Sequence, residues 1–369
     1  MSGKECSYET VDFDRFMIIV AFGTPCAIIG ILFNLVLCII FGRVHHLRSC
    51  DLYFGVLACL DTAFCLLYIL LMTMDAVSLH YGYPYLYAIC ISYTPPLFAV
   101  AKIIQLSSVY MVVAATMERF FVVSRWTDTL TSNRGPTLVH QQTRLCVVIG
   151  IFASAICLRS PAFWEYTVEK KSWCEDPFGA YQVQYGLAAV ESYQIFNFYV
   201  MNVIYVFLPF IVLTILNVGI IRTLRRRLSL AKKFLFPIRY VSEISFERGV
   251  SREKLKSATY TMVALVTVYL ISSLFNTILT VLEHTASHLL RDEEGESFRW
   301  YTLATDISSV LAIVNSVARL PLYCACSRAV RHEVFSLFTC SPASDKSERT
   351  ANEKLPLKST MQFGGGCVE

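Results

Sequence analysis

Apolar residues run almost without interruption through seven stretches of the chain, at 16–42, 52–74, 95–123, 145–165, 193–221, 257–282 and 301–326. None alternates with a period of two, and each reaches the roughly 20 residues that a helix needs to cross a hydrocarbon core about 30 Å thick. The first, fifth and sixth carry no charged residue. Backbone groups in lipid must be satisfied internally, and these stretches are too long for barrel strands. The pattern therefore predicts an all-α membrane protein, a seven-transmembrane helix bundle. After the seventh stretch, Arg328 to Phe338 alternates basic and apolar residues at helical spacing. That predicts a short amphipathic eighth helix lying on the membrane. The expected organisation is an outer N-terminal segment at 1–15, the bundle at 16–326, the surface helix at 327–340 and a disordered tail at 341–369.

Composition agrees. Only 16% of residues are charged while 55% are apolar, against roughly 25% charged in soluble domains. Lys and Arg divide unevenly between the two sides: 23 on the segments after spans one, three and five and the tail, and six on the other side. By the positive-inside rule the N-terminus faces out and the C-terminus faces the cytoplasm, which makes the plasma membrane the expected location. The first fifteen residues are polar and mostly acidic, so the first helix is expected to serve as its own insertion signal. Catalysis finds no support, since no nucleophile–base set, metal-ligand spacing or phosphate loop survives this topology. Neither a cofactor nor a nucleic-acid partner is expected.

Most of the fourteen cysteines fall inside apolar spans, where Cys acts as a small hydrophobe. Cys6, Cys90 and Cys174 lie where an oxidising exterior would reach them. A staple between Cys90 and Cys174 is expected, with a Cys6 pairing or free thiols as the alternatives. The third inner segment, 222–256, has eleven basic residues against three acids, a patch that anionic lipid would attract at about 1 kcal/mol per charge. Cys340 follows the surface helix and is a candidate for palmitoylation. The tail serines and threonines are candidate kinase sites.

Polar landmarks recur inside the spans. Asn34 follows Gly30 in span one, and Asp61 sits in Leu57-Ala58-Cys59-Leu60-Asp61 of span two. Span three carries Ser108 and ends in Glu118-Arg119-Phe120; span five has Pro209 and Asn217; span seven has Asn315-Ser316 and then Tyr323. At these spacings the chain resembles the rhodopsin-like G-protein-coupled receptors over nearly all of 16–338. Within that class it looks most like invertebrate neuropeptide receptors of the FMRFamide type. That resemblance rests on Tyr93-Thr94-Pro95-Pro96, Ser108-Val109-Tyr110, Ser160-Pro161-Ala162-Phe163-Trp164-Glu165 and the stretch from Leu208 to Arg225. A divergent chemosensory or orphan receptor with a non-peptide ligand is the alternative.

The resemblance implies an extracellular peptide ligand, a heterotrimeric G protein and, after activation, a receptor kinase and arrestin, with lipids around the bundle. It makes Glu118, Arg119, Phe120 and Tyr323 the activation switch, with Glu118 holding the Arg119 guanidinium at rest. It places Asn34, Asp61, Ser108, Asn315 and Ser316 in an intramembrane polar core. A charge at mid-bilayer costs roughly 2.5–3.5 kcal/mol on insertion scales, and the family typically offsets the Asp with sodium. Here the Asn-Pro before the Tyr is replaced by Arg319-Leu320. Arg319 is expected to reach Asp61 in place of the ion, the alternative being an Arg319 that snorkels to cytoplasmic water. Two ligand classes are argued down. Ile313 stands where an opsin has its Schiff-base Lys, and Ala101 where an amine receptor has its Asp. An amidated Arg-Phe terminus would call for outward acids beside aromatics. The candidates are Asp75, Glu165, Glu191, Glu283 and Asp306, with Gln105 and with Lys102, which is expected to face the bundle and either meet a carbonyl of the ligand or pair with Asp306 or Glu191. Span six lacks a proline, so its hinge is expected to differ from a proline kink.

Overall fold

The computed structural model describes residues 12–43, 52–129, 141–171, 174, 177–235, 244–285 and 298–338. Seven helices in it are long and apolar enough to cross a membrane. α1 runs over Phe13–Phe41, α2 over Leu52–His80, α3 over Pro84–Thr129 and α4 over Gln141–Arg159. α5 crosses at Glu191–Thr223 and continues to Leu235. α6 spans Ile244–Thr285, α7 Arg299–Cys326 and α8 Arg328–Phe338. Apart from α4 and α5, consecutive helices pack side by side, α7 closes against α1, and α3 touches α2, α4, α5 and α6. α3 is thus the axle of the bundle.

The exterior is apolar and the polar residues are inside. Leu32, Ile39, Ile215 and Ile271 face outward, whereas Asn34, Asp61, Thr116, Asn217 and Ser316 are buried. Lipid solvates the former and internal bonds satisfy the latter. α8 packs Val330, Val334 and Leu337 against one end of the core, with Arg331 and His332 exposed. These apolar positions recur at i, i+4 and i+7, as an interfacial helix requires.

Two features depart from the sequence expectation. α3 starts at Pro84, not at residue 95, and Pro95 and Pro96 lie inside it. Pro84 is pre-organised for a helix start, after a turn in which Gly82 takes φ 67°. In the same region Thr94 Oγ1 donates to the Cys90 carbonyl at 2.8 Å and Ser92 Oγ to that of Ala88 at 2.7 Å. Side-chain bonds of this sort let membrane helices tolerate proline. The second departure is an antiparallel hairpin between α4 and α5, β1 at Tyr166–Lys170 and β2 at Tyr181–Tyr185, paired Tyr166↔Tyr185 through Lys170↔Tyr181. It lies across the outer end of α3, where the Tyr166 ring meets Phe98 at 5.9 Å. Burial beside Glu165 and Tyr185 pushes the Tyr166 phenol up.

The helices also contain π turns, at Met17–Gly23 in α1, Ile69–Thr73 in α2 and Phe196–Met201 and Val203–Phe207 in α5. A π turn displaces the i→i−4 ladder and leaves carbonyls for other donors. Tyr110 of α3 donates to the Ile204 carbonyl at 2.8 Å, while Tyr68 of α2 and Thr24 both reach that of Ile19.

Candidate functional site

A cavity of about 380 Å³ opens among α2, α3, α5, α6 and α7. It reaches from Phe98 and Tyr301, near the outer helix ends, down to Asp61, Ser108, Asn315 and Arg319. Gln105, Ser272, Asn276, Thr280 and Ser308 supply neutral polar groups to its wall, and Tyr205 and Tyr269 add aromatic faces. Among the described residues, Asp61 and Arg319 are the only charged ones lining it.

Those two charges face each other. Arg319 Nη1 forms an ion pair with Asp61 Oδ2, and both side chains are buried. Ser108 Oγ donates to Asp61 Oδ1 at 3.5 Å. Between α1 and α7, Asn34 donates to Ser316 Oγ at 2.9 Å, and it also donates to the Gly30 carbonyl at 2.8 Å. Of the sequence-derived polar core, Asp61, Ser108 and Arg319 meet at one point, Asn34 meets Ser316, and Asn315 lines the cavity with Asp61 and Arg319. An arginine occupies the cation position beside the carboxylate, so this set does not fit an additional sodium ion on Asp61.

Two of the outward acids are paired within the protein. Glu165, 1% exposed, pairs with Lys102 Nζ through Oε2 and accepts from Tyr193 at 2.6 Å through Oε1. The expected partners of Lys102, Asp306 and Glu191, are thus corrected to Glu165. Lys102 lies on α3 and Glu165 just past α4, and the ammonium also sits 4.5 Å above the Phe98 ring. Asp306 is buried and pairs with Arg15 of α1 at 2.9 Å, a partner that the sequence reading did not consider. Arg299 at the start of α7 reaches Asp12 and Asp14. Asp75 is half-buried on α2 away from the cavity wall, and Glu191 is exposed where α5 begins. The Glu283 side chain and Cys340 fall outside the described residues. Among the ligand-binding candidates whose side chains are described, Gln105 alone lines the cavity.

The staple is likewise corrected. Cys90 is a free, buried thiol within 3.3 Å of the Tyr93 hydroxyl, which donates to it, while Cys174 is disulfide-bonded to a cysteine outside the described residues. Burial in the α3 packing, with Tyr93 as its partner, keeps the Cys90 sulfur out of the loop.

Near the C-terminal end of the α3 span, Glu118 does not hold Arg119. Its carboxylate is clamped by Arg144 of α4, with Nη2 at 2.6 Å and Nε at 2.9 Å from Oε1 and Nε at 3.2 Å from Oε2. Adjacent helical residues do not face one another, so a Glu118 turned toward α4 leaves Arg119 pointing elsewhere. Phe120 packs on Gly219 of α5, where an added Cβ would come within 2.9 Å of the ring. Tyr323 is buried between the edges of Phe41 and Phe54 at 5.3 and 5.6 Å.

Residues 33–318 match the family model described as 7 transmembrane receptor (rhodopsin family). The chain belongs to the rhodopsin family of seven-transmembrane receptors. No curated protein matches it. The crystal structure of squid rhodopsin is similar in fold, with a TM-score of 0.64 at 11% identity, covering 98% of this chain and 92% of that one. As a family member the chain is a multi-pass membrane receptor rather than an enzyme, taking an extracellular ligand and coupling to a G protein.

Proposed function

We infer that this receptor sits in the plasma membrane, N-terminus outward, and responds to an extracellular neuropeptide whose amidated, aromatic end enters the cavity. The lining carries the reading: aromatic faces and uncharged donors and acceptors surround a floor whose two charges cancel. A terminal amide gains hydrogen bonds to groups such as Gln105 and Asn276 without bringing a charge. A free carboxylate would have to be desolvated with no unpaired cation to meet it. A ligand cation would stay near the rim, since Glu165 and Asp306 already have partners and Glu191 is exposed. An FMRFamide-like peptide fits this division. A cavity of this size also suits a small uncharged non-peptide ligand, which is the second reading.

Binding would bias the α3, α6 and α7 contacts around Tyr269 and Arg319 and expose Arg119 to the G protein. Receptor kinase and arrestin at the tail, lipid at the 222–256 patch and palmitoylation at Cys340 complete the proposed set. The test is a calcium response, through a promiscuous G protein, to Arg-Phe-amide peptides and their free acids. A saturable response to the amide form that falls on Gln105→Ala or Asn276→Ala supports the reading. Equal potency of amide and acid, or silence at confirmed surface expression, sinks it.

A further inference from the structure

The cavity among the helices ends on an ion pair. Asp61 of α2 and Arg319 of α7 meet there, Ser108 of α3 donates to the same carboxylate, and both charged residues line the cavity. Resting on the peptide reading above, we propose that this pair determines specificity by reading the ligand's terminal carboxamide. The amide donates an N–H to Asp61, and its carbonyl accepts an N–H from Arg319.

Reach, capacity and charge balance support this. Phe98 and Ser108, at the two ends of the cavity, lie ten residues apart on α3. That is about 15 Å at the helical rise, a depth that the extended end of a peptide covers at about 3.5 Å per residue. Small side chains keep the way open, since Ala101, Ser272, Ser273 and Ala312 line the walls. A guanidinium carries more N–H donors, and a carboxylate more lone pairs, than their mutual contact and the Ser108 hydroxyl take up. The pair thus offers a donor and an acceptor side by side, and a carboxamide offers the same two in the opposite sense. It brings no charge, so the pair stays balanced, and hydrogen bonds to ionised partners are the strong ones. A carboxylate would be repelled by Asp61 and an ammonium by Arg319. Gln105, one turn nearer Phe98 on α3, and Asn276, bonded to Ser308, then meet the peptide groups that precede the amide.

The experiment is binding calorimetry on the full-length receptor in lipid nanodiscs. The probes are an Arg-Phe-amide tetrapeptide, its methyl ester, which keeps the carbonyl but lacks the N–H donors, and its free acid. Wild type is expected to bind the amide roughly tenfold tighter than either, the worth of a hydrogen bond to a charged group. Asp61→Asn leaves Arg319 without its counter-charge, so the order reverses and the free acid becomes the tightest of the three by roughly tenfold. If that variant does not fold, Asp61→Asn/Arg319→Leu decides, since it buries no charge; its preference for amide over ester disappears. A merely loosened bundle lowers all three affinities together, so the ratios separate recognition from structure. The proposal is overturned by a wild type that takes amide and ester alike, by an Asp61→Asn receptor that still prefers amide to acid, or by a double variant with the wild-type amide-to-ester ratio. The peptide reading survives those results when Gln105→Ala or Asn276→Ala removes the preference for amide over acid. A wild type that binds none of the probes, or amide and acid equally, overturns both.

Discussion

The Asp61–Arg319 pair decides how the membrane interior is balanced. A buried carboxylate and guanidinium in contact offset each other's desolvation, but removal of one partner leaves a lone charge, a loss of about 3–5 kcal/mol. Arg319→Leu is expected to lower thermal stability in detergent by that order, and Asp61→Asn/Arg319→Leu to recover most of it. Because the guanidinium already occupies the cation position, exchanging sodium for N-methylglucamine is expected to leave the melting temperature unchanged. A sodium-dependent rise would mean that the pair opens to admit the ion. At the outer end, Cys90 is buried and free whereas Cys174 is crosslinked. Non-reducing peptide mapping is expected to recover Cys90 as an alkylated thiol, and a Cys90–Cys174 crosslinked peptide would refute the packing described.

Elements here are tuned by local breaks in regularity. The π turns in α5 free the Ile204 carbonyl that Tyr110 of α3 takes at 2.8 Å. Tyr110→Phe is expected to cost about 1 kcal/mol, the net worth of one such bond, read as a lowered melting temperature. The α3–α5 contact lower down depends on the absence of a side chain at Gly219, against which Phe120 rests. Gly219→Val should displace that ring at a cost of about 1–3 kcal/mol for overpacking. Its signature is reduced G-protein coupling at normal surface expression. α6 reaches the same end without a proline hinge. Asn217 of α5 donates to Thr267 of α6 at 3.3 Å, and Ser308 of α7 to Asn276 of α6 at 3.4 Å. Two long, weak bonds on either side of α6 are contacts that a modest tilt can exchange.

Across the whole molecule, charge pairs tie distant parts of the chain together. Arg15 joins α1 to α7 through Asp306, and Lys102 joins α3 to the start of the outer hairpin through Glu165. Each cross-link keeps an acid from the ligand and stiffens the mouth of the cavity. Glu165→Gln would leave Lys102 buried without its counter-charge, and is expected to reduce folded receptor at the surface more than Glu191→Gln does. Radioligand-independent surface labelling separates the two.

Hydropathy and the positions of Lys and Arg were enough to set seven crossings, a surface helix and an expected orientation, because lipid imposes one rule on every backbone group that enters it. The landmarks Asn34, Asp61, Asn315 and Tyr323 were legible for a related reason: a polar group in an apolar run is costly and stands out. Even the Asp61–Arg319 contact could be anticipated, since two isolated opposite charges at similar depth have few other partners. Partner choice was not legible where several charges share a level. Glu118 has Arg119 beside it in sequence, yet Arg144 on another helix is the residue it meets, because neighbours along a helix diverge while helices packed side by side converge. Likewise Lys102 took Glu165, Asp306 took Arg15 and Cys90 kept its thiol. Solvation by lipid acts on each segment alone and so is written in the order of residues. Pairing depends on how seven segments rotate and approach one another, and only the packed bundle decides it.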